Sequence, residues 1–199
     1  MRIARVIAAV AAVAALAGAS AVAAGAHPSH HPAPRYDPVH QLVQAEQATT
    51  KYQTLAVAKH DGYGIFHDLN GITCIADTGM EGMEGMEGMA GMGGMGVHYV
   101  KGANVDDPAE VASRPEAVVY EPDRHGHLHL VALEYLVPKA AWDKSHRDPP
   151  SLFGQPFMLN PVPNRFLPVA FYSLHVWLYK ANPSGLFAMW NPQVHCPAA

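Results

Sequence analysis

Three titratable residues lie inside otherwise apolar runs: His98 in GVHYV, Glu134 in VALEYLV and His175 in SLHVWLY. Two imidazoles and one carboxylate are the donor set of an open metal site, as in catalytic zinc centres or facial-triad iron proteins. Glu134 poses the sharpest question, because an ionised carboxylate among apolar neighbours is costly unless a cation, a hydrogen-bond donor or a metal compensates it. Arg114, Arg165 and Lys180 are alternative partners. With one of them Glu134 would form an ordinary ion pair, and each histidine would be a hydrogen-bonded core residue. In an enzyme, Glu134 would be the general base and the histidines metal ligands or proton carriers. No HExxH, paired CxxC, GxSxG or phosphate-loop motif adds a further signature.

Secondary donors lie elsewhere. His125, His127 and His129 alternate, so on a strand they share a face where zinc or copper could be captured; they also border a turn, where solvated histidines are the simpler reading. Met80, Met83, Met86, Met89, Met92 and Met95 recur every third residue in GMEGMEGMEGMAGMGGMG. Glycine at that density disfavours a helix, so residues 79–96 read as a Met/Gly-rich loop. Its thioethers would select reduced copper, or the block is a tandem expansion that carries methionine along. His27 is a further copper ligand if export exposes it at or near a new amino terminus, through a Gly25-Ala26-His27 chelate or through its own amine and ring.

The elements that must position these residues follow from periodicity. Asp37 before Pro38 is a helix start, and Leu42, Ala45, Ala48, Tyr52 and Leu55 continue at three- and four-residue spacing towards Gly62. Residues 96–100, 116–122, 128–137 and 169–180 read as strands, and PDRHGH makes the second and third an antiparallel hairpin. Strict alternation along the third puts Leu128, Leu130, Ala132, Glu134 and Leu136 on one face, with His125, His127, His129, Val131, Leu133 and Tyr135 on the other. Residues 138–168 read as a long irregular excursion packed by its aromatics. The expected fold class is α+β: an N-terminal amphipathic helix packed on a mainly antiparallel β-sheet, with long irregular loops.

The chain has 199 residues, a formal charge of −4 and 13 histidines, with no basic footprint for nucleic acid. MRIAR, a following alanine-rich apolar run and small-residue cleavage sites make residues 1–26 a signal peptide and place the mature protein outside the cytoplasm. No later run is long enough to span a membrane. Residues 27–36 read as a flexible His/Pro-rich arm, and 37–199 as a single domain. In an oxidising compartment the two cysteines, Cys74 and Cys196, are expected to form a disulfide worth about 2 to 5 kcal/mol. The competing reading makes Cys196, beside His195, a thiolate metal ligand.

GMGVHYV, RPEAVVYEP, VALEYLVP, PSLFGQPF and LHVWLYKANPSGLFAMWNPQVHCP resemble segments of a group of uncharacterised secreted bacterial proteins, over about residues 37 to 197. The resemblance implies export and one domain, and brings no reaction, substrate or cofactor. The histidine arm and the expanded methionine block depart from it. Taken together, the sequence reads as an exported protein that binds a transition metal, copper favoured, through a His/Glu core site and a Met-rich loop. The alternatives are an extracytoplasmic metal-dependent enzyme of unknown substrate, and a disulfide-closed binding or cell-surface module without metal, with a metal ion or a small molecule as the expected partner.

Overall fold

The computed structural model describes residues 37–77 and 92–197. Helix α1 (Pro38–Thr49) starts as its residues dictate: the Asp37 side chain accepts from the Val39 amide, and Pro38 occupies the first turn. It does not continue to Gly62. A 3₁₀ turn (Thr50–Gln53) and a second short helix, α2 (Leu55–His60), follow instead. Thr49 and Thr50 donate their hydroxyls back to the carbonyls of Ala45 and Glu46, which bends a helix. The Tyr52 carbonyl, which an unbroken helix would need, accepts from the Tyr120 hydroxyl at 2.6 Å. Gln41, Ala45, Thr49, Tyr52 and Ala58 are the buried residues of this stretch, so a glutamine and a threonine share the inward side with the apolar ones.

The remaining elements in chain order are β1 (Gly64–Ile65), β2 (Cys74–Ala76), β3 (Gly94–Val100), the single turn α3 (Gly102–Val105), β4 (Ala117–Pro122), β5 (Leu128–Pro138), the single turn α4 (Lys139–Trp142), β6 (Ser151–Leu152), β7 (Gln155–Pro156), β8 (Met158–Asn160) and β9 (Phe171–Val176). Among the described residues, seven strands form one antiparallel sheet in the order β1-β3-β4-β5-β9-β8, with β2 on the same edge of β3 as β1; β6 and β7 form a separate hairpin. The expected β4–β5 hairpin is present. Strand β9 is shorter than its apolar run: the Trp177 amide turns to the Leu186 carbonyl, and the Tyr179 amide meets β5 only at the bulge residue Val131.

One sheet face carries Tyr99, Val118, Tyr120, Leu133, Tyr135, Leu174 and Val176 under Ala45, Tyr52 and Ala58. The other carries Val119, Ala132 and Trp177 with Val194 from the C-terminal segment. Two irregularities decide which side chains share a face. In β5, Val119 faces Ala132 while Tyr120 faces Leu130, so Val131 is a bulge residue. The extra residue carries Leu128 and Leu130 to the helix side and leaves Val131 with Ala132, against the strict alternation expected from sequence. In β3, Gly96 has φ +103°, and a Cβ there would stand 2.5 Å from the Tyr120 carbonyl oxygen. Only glycine permits that approach. Residues 94–96 therefore belong to a strand, not to the loop expected over 79–96, and Met95 is 3% exposed.

Cys74 and Cys196 are bridged, so neither is a free thiolate ligand. The bond closes a separation of 122 residues, for which loop-closure entropy contributes about 4 to 5 kcal/mol. It ties the C-terminal segment to β2. No helix among the described residues is long and apolar enough to cross a membrane.

Candidate metal centre

Glu134 on β5 and His175 on β9 are direct cross-strand partners. His98 lies two strands away on β3, two residues further along, where it faces Val119; the β4 residue facing Glu134 is Ala117. The side chains of directly paired residues lie on one face, so a small residue at 117 leaves room for His98 to reach across. The convergence is tight. His98 Nε2 lies 3.3 Å from His175 Nε2 and 3.4 Å from Glu134 Oε2, and His175 Nδ1 lies 3.7 Å from Glu134 Oε1. Each residue offers one ligand atom within 4.8 Å of the others, and among the described residues this is the one group of three histidine, cysteine or acidic side chains that does so.

Burial dominates the electrostatics. It drives His98 down to about 4 and His175 well below the ordinary imidazole value, the charge of His98 adding to the effect on His175. Burial also lifts Glu134 to about 7, the nearby Ser173 hydroxyl opposing the rise. Both imidazoles are thus neutral near pH 7, the form that binds a metal. The cations weighed from sequence are engaged elsewhere: Arg165 on Asp68, Lys180 on Glu121 and Arg114 on Asp107. Among the described residues no lysine or arginine pairs with Glu134.

The supporting shell is partly built. Asn160 Nδ2 donates to Ser173 Oγ at 3.1 Å, which fixes that hydroxyl beside Glu134. His98 Nδ1 is buried without a hydrogen-bond partner; the Gly96 backbone nearby opposes the effect of burial on the ring but falls outside hydrogen-bond geometry. Beside the three donors is a cavity of about 120 Å³ whose lining includes Phe66, Phe166, Phe171, Met95 and Met189. Sequence reasoning missed Ser173, Asn160 and Met189. Ser173 carried a usable signal, since it stands two residues before His175 and so on the same face of a strand.

The secondary donors are placed differently. His127 and His129 approach Asp123 Oδ2 at 3.2 and 3.3 Å on the exposed hairpin, and His125 accepts from Arg124. Met92 donates its amide to Asp77, and Met95 lies in β3. His27, Met80, Met83, Met86 and Met89, the leader and the arm lie outside the described residues. Compared with family models, with curated proteins and with solved structures, the chain matches none.

Proposed function

We propose that this chain is an exported metalloprotein that holds one first-row transition ion between His98, Glu134 and His175. The observation that carries the reading is the donor spacing. Bonds of about 2.0 to 2.1 Å at a tetrahedral angle separate neighbouring donors by about 3.3 to 3.4 Å, whereas right angles separate them by about 2.9 Å. The separations of 3.3 and 3.4 Å around His98 Nε2 match the first case. Three protein ligands then leave a fourth position open, and an N2O set at that spacing supports zinc. The copper favoured from sequence would have to be reduced and to draw thioether sulfur from Met95 or Met189, since square-planar Cu(II) needs the shorter spacing. With Glu134 engaged as a ligand, activation of a metal-bound water supports an enzymatic role better than Glu134 acting as base. Export is supported by the leader-like residues 1–26 and by the Cys74–Cys196 bridge.

Metal analysis of the purified mature protein tests this. About one ion per chain is expected, retained when residues 78–91 are deleted and lost in the His98→Ala, His175→Ala double variant. No stoichiometric metal in either parent form overturns the reading. A metal-free trio sharing one proton is favoured instead if that result is joined by a single titration near pH 7, because the 3.3 Å separation of the imidazole nitrogens also suits a hydrogen bond.

A further inference from the structure

The geometry points to a small, largely apolar organic ligand in the cavity beside His98, Glu134 and His175, with one polar group directed at them. For the polar end this rests on the metal reading; for the apolar body it does not.

Size sets the first bound. An apolar cavity of about 150 Å³ admits benzene, so about 120 Å³ limits the body to about one small ring, roughly five or six non-hydrogen atoms. Chemistry sets the second. Ten of the fifteen lining residues are apolar, and the polar ones are His98, Glu134 and His175 with Ser173 and Asn160, which already bond one another. No lysine or arginine lines the cavity, so a free anion would find no counter-charge there except a bound ion. Ordered water is a poor occupant, because each molecule needs two to four polar partners that phenyl, leucyl and thioether walls do not supply. A neutral molecule, or a weak acid such as a phenol that would bind the ion as phenolate while its proton passes to solvent, satisfies both ends.

The walls are held in advance. Phe66 and the pair Phe166 and Leu167 come from two loops joined by a two-pronged ion pair, Arg165 Nε and Nη2 to Asp68 Oδ2 at 2.9 and 2.6 Å. Asp68 Oδ1 also accepts from the amides of Asn70 and Ile72, and the Leu69 amide donates to the Arg165 carbonyl. A site shaped before the ligand arrives spends little binding energy on ordering.

Calorimetric titration of the mature protein, zinc-loaded and metal-free, with benzene, phenol and acetate tests the inference. Benzene should bind both forms alike. Phenol should bind the zinc-loaded form at least tenfold tighter than the metal-free form, and acetate should not match it. Val105→Trp, which fills the cavity from α3, should abolish benzene and phenol binding while zinc stoichiometry and the circular dichroism spectrum stay unchanged. Zinc-loaded protein that takes up neither benzene nor phenol, or that binds acetate as tightly as phenol, overturns the inference. Benzene binding by a protein that holds no zinc supports the apolar body of the site and refutes the metal reading instead.

Discussion

Each side of the sheet has a buried acid, and the two differ in what surrounds them. Glu116, 3% exposed, accepts from the Leu136 amide and lies near the tyrosines of the helix side, Tyr63 and Tyr135. Burial raises it to about 9, with Glu110 adding to the shift, so near pH 7 it persists as a neutral acid. Glu134, 8% exposed, rises only to about 7 and faces two imidazoles. A buried carboxylate does not by itself make a metal site. What distinguishes Glu134 is the company of neutral nitrogen donors at bonding separation, beside a cavity. On the helix side three tyrosine hydroxyls meet backbone carbonyls instead: Tyr120 donates to that of Tyr52, Tyr135 to that of Ala112 and Tyr63 to that of Pro115.

The contrast breaks most completely at a ligand. His175→Ala should weaken zinc binding by more than the about 10- to 100-fold that loss of an outer-shell partner costs, in competition with a chelating dye. Tyr120→Phe on the opposite side should leave that affinity unchanged, and an equal loss in both variants would deny the two faces their separate roles. Next in size is the clamp on the cavity walls. Asp68→Asn leaves the Arg165 guanidinium facing a neutral group and should cost about 3 kcal/mol in denaturant unfolding, while zinc stoichiometry holds.

A subtler change sharpens the distinction. Ser173→Ala removes the hydroxyl that Asn160 holds beside Glu134 and should lower zinc affinity about 10- to 100-fold with little change in the apo protein's melting temperature. Last is the signature of the other acid. Because the folded-state values of Glu116 and Glu110, about 9 and about 8, lie above the ordinary carboxylate value, their contribution to stability is complete below about pH 4.5 and is lost as pH rises through 8 to 9. Metal-free protein should therefore lose stability steadily between pH 6 and 9, by up to about 1.4 kcal/mol per pH unit for each acid still protonated, and Glu116→Gln should make that slope shallower without affecting zinc. A slope unchanged in Glu116→Gln would mean that Glu116 is already ionised.

Local rules carried much of the architecture. Asp37-Pro38 opens α1, the turn residues after Pro122 return β5 antiparallel to β4, and the two cysteines pair. They failed where a distant group intervenes. The break after Thr49 depends on a hydroxyl from Tyr120, the side change at Val131 on a bulge, and the strand identity of residues 94–96 on Gly96 passing against the Tyr120 carbonyl. Repetition hid that last feature, because a glycine demanded by packing looks the same as one copied along in a repeat.

For the site itself, residue type and apolar context were enough to single out His98, Glu134 and His175, since burying a polar group has a cost that any fold must meet. Whether they meet one another depended on tertiary structure. His98 and His175 are 77 residues apart, and periodicity reports the face of a strand but not its neighbours. The order β3-β4-β5-β9, the alanine at 117 and the loops clamped by Asp68 and Arg165 turn three separately awkward residues into one enclosed set of donors.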